Sequence, residues 1–163
     1  MSIRPDEIEI PLEFTDRAHE ALVNVWWTGV LLKRSARKFF RAAGLSEAEF
    51  NLLMALQHAP EPLSQIDLSR RLLVDRSNVT GLVDRLESGG LIERRPSPHD
   101  RRRYQITLTD RGRERLRQVA PGYYEKVART MAGLDDASLR RLIELTGELR
   151  RGLLPDPGDE EQP

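Results

Sequence analysis

The densest run of chemistry in the sequence is His99-Asp100-Arg101-Arg102-Arg103. Three adjacent guanidinium groups repel one another, and within the run only Asp100 opposes them. A polyanion completes such a cluster. Guanidinium groups pair bidentately with phosphate or guanine, and they favour a narrow minor groove, where negative potential is concentrated. A second polar set precedes it: Arg76, Ser77, Asn78, Thr80 and Arg85. Arg suits guanine, Asn suits adenine, and Ser and Thr serve bases or phosphates. Ser64, at an earlier helix start, joins these candidate contacts, while Arg94 and Arg95 could touch phosphates or merely face water.

Catalysis leaves no comparable trace. The three histidines, His19, His58 and His99, fall in different segments. There is no Gly-rich phosphate loop, metal-ligand spacing or nucleophile elbow, so neither a metal nor a cofactor is expected. With no cysteine in the chain, structural disulfides, thiolate metal sites and cysteine-based redox sensing are excluded.

The elements that must position these residues follow from periodicity. Thr15 to Ala43 repeats apolar residues at helical spacing, and Gly44 suits the cap that ends it. Ser46 and Glu49 have the spacing of a capping box, opening a helix whose face is Phe50, Leu53, Met54 and Gln57. Pro60-Glu61-Pro62 stops it. Ser64 caps the next helix, with Asp67 adding negative charge to its first turn. Asp75 caps another, which buries Val79, Leu82, Val83 and Leu86 and leaves the Arg-Ser-Asn-Thr face outside. Gly81 on that outer face removes bulk where a helix would approach a groove.

A hairpin comes next. Leu91 to Arg95 reads as a strand, Pro96-Ser97-Pro98 as the start of a turn, and Arg103 to Leu108 as a second strand. The second strand sets Tyr104, Ile106 and Leu108 on one face. Thr109 or Asp110 begins a helix in which Pro121 predicts a kink or a break. Asp135 caps the last helix. The architecture expected is mainly α with a small β-wing.

Composition bounds the setting. The 163 residues carry 26 basic and 26 acidic side chains. From Ser64 to Arg113 there are 11 arginines against 7 carboxylates, a net +4, which leaves −4 elsewhere. Local charge, not the total, sets attraction to phosphates. The N-terminal stretch is acidic and proline-punctuated, unlike a signal peptide. No apolar run approaches the ~18 residues of a membrane helix, so a soluble cytoplasmic protein with no membrane partner is expected.

Across LSQIDLSRRLLVDRSNVTGLVDRLESGGLIERRPSPHDRRRYQITLTDRGR, residues 63–113, the chain resembles the winged helix-turn-helix of the MarR (multiple antibiotic resistance) family of bacterial regulators. The resemblance rests on Asp100-Arg101-Arg102 at a wing tip, on Leu108-Thr109, and on Gly112. It extends more loosely to the flanking helices. It implies a winged helix-turn-helix at 46–113 inside a single domain of 14–153. N- and C-terminal dimerisation helices at 14–44 and 114–153 would flank it, with an acidic arm at 1–13 and an acidic disordered tail at 154–163.

The resemblance also implies a homodimer on a near-palindromic double-stranded operator, with repression as the usual outcome. Asp75 to Glu87 would be the recognition helix in the major groove. Arg102 would reach the minor groove, oriented by Asp100. Many members bind a small aromatic or phenolic anion, for which Trp26, Trp27, Arg37 and His58 are candidate contacts. Two other readings stay open from the residues alone: an activator without an effector, and a winged-helix module that contacts protein.

Overall fold

The computed structural model describes residues 13–72, 76–96 and 104–153. They form α1 (Arg17–Ala42), α2 (Glu47–Gln57), α3 (Gln65–Leu72), α4 (Arg76–Ser88), β1 (Ile92–Pro96), β2 (Tyr104–Leu108), α5 (Asp110–Met131) and α6 (Asp136–Arg151). This is the anticipated class, helical with a two-stranded antiparallel wing. The expected Asp75 cap, the wing tip and both acidic tails lie outside the described residues. Two compact units divide the chain, Met1–Leu116 and Arg117–Pro163. Their boundary falls inside α5, near the expected end of the winged helix-turn-helix. No helix among the described residues is long and apolar enough to cross a membrane.

Side-chain caps set the helix starts. Asp16, one residue after the expected Thr15, accepts from His19 N at 2.8 Å and opens α1. The Ser46 capping box forms both ways: Ser46 N donates to Glu49 Oε2 at 2.8 Å, and Glu49 N donates to Ser46 Oγ at 3.2 Å. Asp135 accepts from Ser138 N at 2.8 Å and opens α6. Each cap satisfies an amide that the helix cannot, worth about 1 kcal/mol.

In the first unit α2 is the central helix. It packs against α1, α3, α4 and β2, so it is covered on more than one side. That explains a departure from the expected stripe. Leu52 is fully buried beside Phe50 and Leu53, whereas Gln57 is exposed. Phe40 of α1 meets Phe50 with ring centroids 5.0 Å apart. The inward set of α4, Val79, Leu82, Val83 and Leu86, is buried as its spacing predicts. Full burial of each such side chain is worth roughly 1.5–3 kcal/mol.

The wing pairs Ile92 with Leu108, Arg94 with Ile106, and Pro96 with Tyr104. Pro96 therefore ends β1 rather than beginning the turn. Proline is tolerated at a strand end on an edge, where no ladder bond is lost. Ile106 and Leu108 are buried, while Tyr104, at the outer end of the same face, is exposed. A third segment joins the sheet: Ile106 N donates to Leu63 O at 2.8 Å. In α5 the helix continues through Pro121 without the break that proline suggested. The missing amide removes one hydrogen bond and does not end the helix.

The start of α5 is pressed against the turn before β1. Thr109 N donates to Leu91 O at 3.1 Å, Thr109 Oγ1 donates to Gly90 O at 2.7 Å, and Gly112 N donates to Thr109 Oγ1 at 3.0 Å. A Cβ at Gly112 would lie 2.0 Å from Leu91 O. Backbone cannot yield as a flexible side chain would, so Gly112→Ala is expected to destabilise the protein by about 2 kcal/mol or more. Urea denaturation reads this directly, and an unchanged midpoint would refute the close approach.

Candidate nucleic-acid interface

Once the apolar side of α4 is buried, its other side faces solvent. Ser77, Asn78 and Thr80 are exposed on the first two turns. Thr80 Oγ1 donates to Gln65 Oε1 of α3 at 3.5 Å, linking the two helices. Ser77 and Asn78 make no side-chain hydrogen bond to another described residue. Arg76 begins the helix, but its side chain lies outside what is described, as do Asp100, Arg101, Arg102 and Arg103. Gly81 is half-buried, and a Cβ there would meet Arg85 Nη1 at an ordinary 3.5 Å. No packing among the described residues requires glycine at that position.

The structure engages two of the candidate residues internally. Ser64 N and Ser64 Oγ both donate to Asp67 Oδ2, at 2.9 and 2.6 Å, and Asp67 N donates to Ser64 Oγ at 3.2 Å. This is a reciprocal cap on α3, with Asp67 in the place usually held by Glu or Gln. The Ser64 hydroxyl and then its amide hold the Asp67 carboxyl below the usual carboxylate range. Arg85 Nε pairs with Glu49 Oε1 at 3.2 Å, tying α4 to the start of α2. Burial pushes Glu49 up. The Ser46 bonds and the Arg85 guanidinium outweigh it, leaving Glu49 below its ordinary value.

Two residues that the sequence did not single out emerge beside this face. Asp84 and Glu87, one turn apart on α4, both hold Arg94 of β1. Neither could be found from spacing, because their partner lies across the α4–β1 turn. On the same strand Arg95 pairs with Glu93 at 2.6 Å.

A cleft of about 710 Å³ opens in the first unit. Lys33, Arg37 and Arg41 recur along α1 at one-turn intervals on its wall, with Phe40, Leu45 and Leu82 as an apolar floor. None of the three cations has an ion-pair partner among the described residues. Glu47 also lines the cleft. Of the four candidate effector contacts, only Arg37 is here. Trp26 and Trp27 are exposed along α1, and His58 ends α2.

Comparison with known proteins places this geometry. A family model described as the MarR family matches residues 43–103. The HTH-type transcriptional repressor YetL of Bacillus subtilis is 35% identical over 112 residues, 68% of this chain and 67% of that protein. Among solved structures, Sco3205, a MarR family transcriptional regulator from Streptomyces coelicolor in complex with DNA, superposes with a TM-score of 0.80. It is 26% identical, over 90% of this chain and 94% of that one. Bordetella bronchiseptica BpsR, whose DNA binding is regulated by 6-hydroxynicotinic acid, gives a TM-score of 0.71 at 25% identity over 90% of this chain and 99% of that one.

The α3 cap makes a pH-dependent prediction. Because the native state holds Asp67 low, its contribution is present above the unfolded carboxylate pKa of about 3.9 and is lost as pH falls through the lower folded value. Ser64→Ala should cost about 1 kcal/mol at neutral pH. The gap between variant and parent should narrow below the carboxylate range. Thermal melts across a pH series test this, and a gap independent of pH would contradict it.

Proposed function

The chain belongs to the MarR family of DNA-binding transcriptional regulators, and from that premise we propose that it is a repressor acting as a homodimer on a near-palindromic operator and released by a small organic anion. The observation that carries the reading is the exposed Ser77-Asn78-Thr80 face of α4, backed by a buried apolar face and followed directly by the wing. Residues 46–113 form the reading head, in which Arg76, Ser77, Asn78 and Thr80 enter the major groove and Arg101, Arg102 and Arg103 meet the minor groove, with Asp100 orienting Arg102. Ser64 and Arg85 serve this head chiefly through α3 and α2, as their internal bonds indicate.

Dimerisation through 14–44 and 114–153 is supported by apolar side chains that each unit leaves uncovered. On α1 these include Leu22, Val25 and Trp26, the last 70% exposed. On α6 they include Leu142, Leu145 and Ile143, the last 66% exposed. A two-fold dimer would place two recognition helices about 34 Å apart, one turn of duplex. Effector control is supported by the regulation of BpsR by 6-hydroxynicotinic acid. The cationic cleft holding Arg37 is suited to a ligand that is both apolar and anionic.

Footprinting on DNA flanking its own gene is the direct test. Two protected major-groove patches about one helical turn apart are expected, and a single patch would sink the dimer. Asn78→Ala and Arg102→Ala should each weaken binding about tenfold. Affinity should fall steeply with salt because several phosphate contacts release counterions. Salt-insensitive binding would contradict the arginine wing, and unaltered affinity in both variants would favour a protein-contact module.

Gly81 separates stability from recognition. Gly81→Ala should stabilise α4 by up to about 1 kcal/mol through helix propensity. It should weaken DNA binding if the helix lies close to the groove. Tighter binding in parallel with higher stability would remove any recognition role for this glycine.

A further inference from the structure

Arg94 is held at three points by α4. Its backbone N donates to Glu87 Oε1 at 3.2 Å, and its Nη1 donates to Glu87 Oε2 at 2.6 Å. Its Nη2 donates to Asp84 Oδ1. Glu87 thus closes a ring on one residue, taking an edge-strand amide and a guanidinium with a single carboxylate. Asp84, three residues earlier on the same helix face, takes the other end of the fork. The Arg94 side chain is 21% exposed, whereas Asp84 is 57% exposed.

This placement is unfavourable on charge alone. An exposed carboxylate on a helix that approaches a polyanion repels it. The benefit must therefore lie in geometry. Arg94 sits in the middle of β1, paired with Ile106, and β1 leads directly toward the arginine tip. The helix carrying Asp84 and Glu87 presents Ser77, Asn78 and Thr80 two turns earlier. The connection between helix and strand runs through Gly89 and Gly90, the latter at φ 66°, and glycine adds little stiffness.

We propose that Asp84 and Glu87 are positioning residues for DNA recognition: by gripping Arg94 they fix the wing's angle to the recognition helix, so that both grooves are met at once. The proposal rests on the DNA-binding reading above. Charge and positioning predict opposite signs. Neutralising either carboxylate tightens binding if repulsion dominates, and weakens it if the grip sets the wing.

The test is a double-mutant cycle on the full-length protein, using a duplex that the parent chain selects from a random library. Failure to select any duplex would defeat the DNA reading itself, before the cycle begins. Asp84→Asn and Glu87→Gln are measured alone and combined with Arg102→Ala, with thermal melts alongside. Each is expected to weaken binding about fivefold in the parent background and by less than about twofold once Arg102 is gone, since a wing without its reader no longer depends on its angle. Hydroxyl-radical footprints should lose the flanking minor-groove protection and keep the central one. Additive losses, or tighter binding, would overturn the proposal. If Glu87→Gln melts below the assay temperature, Asp84→Asn decides alone, because it leaves both Glu87 bonds in place. Unfolding of both variants would assign the pair to the fold and overturn the proposal too.

Discussion

A two-stranded hairpin is marginal in water, and the shape of the reading head depends on how this one is anchored. Each anchor comes from a different part of the first unit. Ile92, Ile106 and Leu108 bury their side chains in the core shared with α2 and α4. Leu63 extends the sheet by a single bond to Ile106. Thr109 closes the base of the hairpin against Leu91 and Gly90. Arg94 is gripped from α4. The hairpin is held by the helices beneath it, and its outer end is thereby presented at a defined place.

What could be read from the sequence was what local rules decide. The 3.6-residue spacing of Val79, Leu82, Val83 and Leu86 identified the buried side of α4, which by subtraction exposed Ser77, Asn78 and Thr80. Caps at Ser46 and Asp135 followed from residue type and spacing, and the alternation of β2 located its buried face. The misses share a cause, which is contact between residues distant in the chain. Leu52 is buried because four elements surround α2. Arg85 meets Glu49 from 36 positions away. Arg94 finds partners only after the turn at Gly89-Gly90 folds the strand back. Ser64 is the local exception: its amide and hydroxyl both close on Asp67, three residues on, which follows from its place as a helix cap and not from its reading as a groove contact.

The same distinction reshapes the charge count. Between Ser64 and Arg113 the sequence carries a surplus of four positive charges. Geometry sorts its arginines into kinds. Arg85, Arg94 and Arg95 are matched by Glu49, by Asp84 with Glu87, and by Glu93. Arg113 donates to Leu108 O at 3.3 Å at the foot of the wing. These hold elements together, and an exposed ion pair of this kind is worth only about 1 kcal/mol or less. A balanced total charge and a basic reading head are compatible because the compensating carboxylates lie elsewhere in the chain, while the arginines paired within the head add structure rather than free charge.

Thr109 directly follows β2, bonds the turn before β1 through its amide and hydroxyl, and accepts the Gly112 amide in the first turn of α5. One residue serves as both a latch and a helix cap, and the chain between Leu108 and Gly112 has no slack. Inserting or deleting a residue here would rotate α5 by about 100° relative to the wing and drive a side chain into Leu91. A residue gained or lost between Pro96 and Tyr104, beyond the end of the ladder, would leave this latch untouched. The reach of the wing is thus separable from the fixed length of its base.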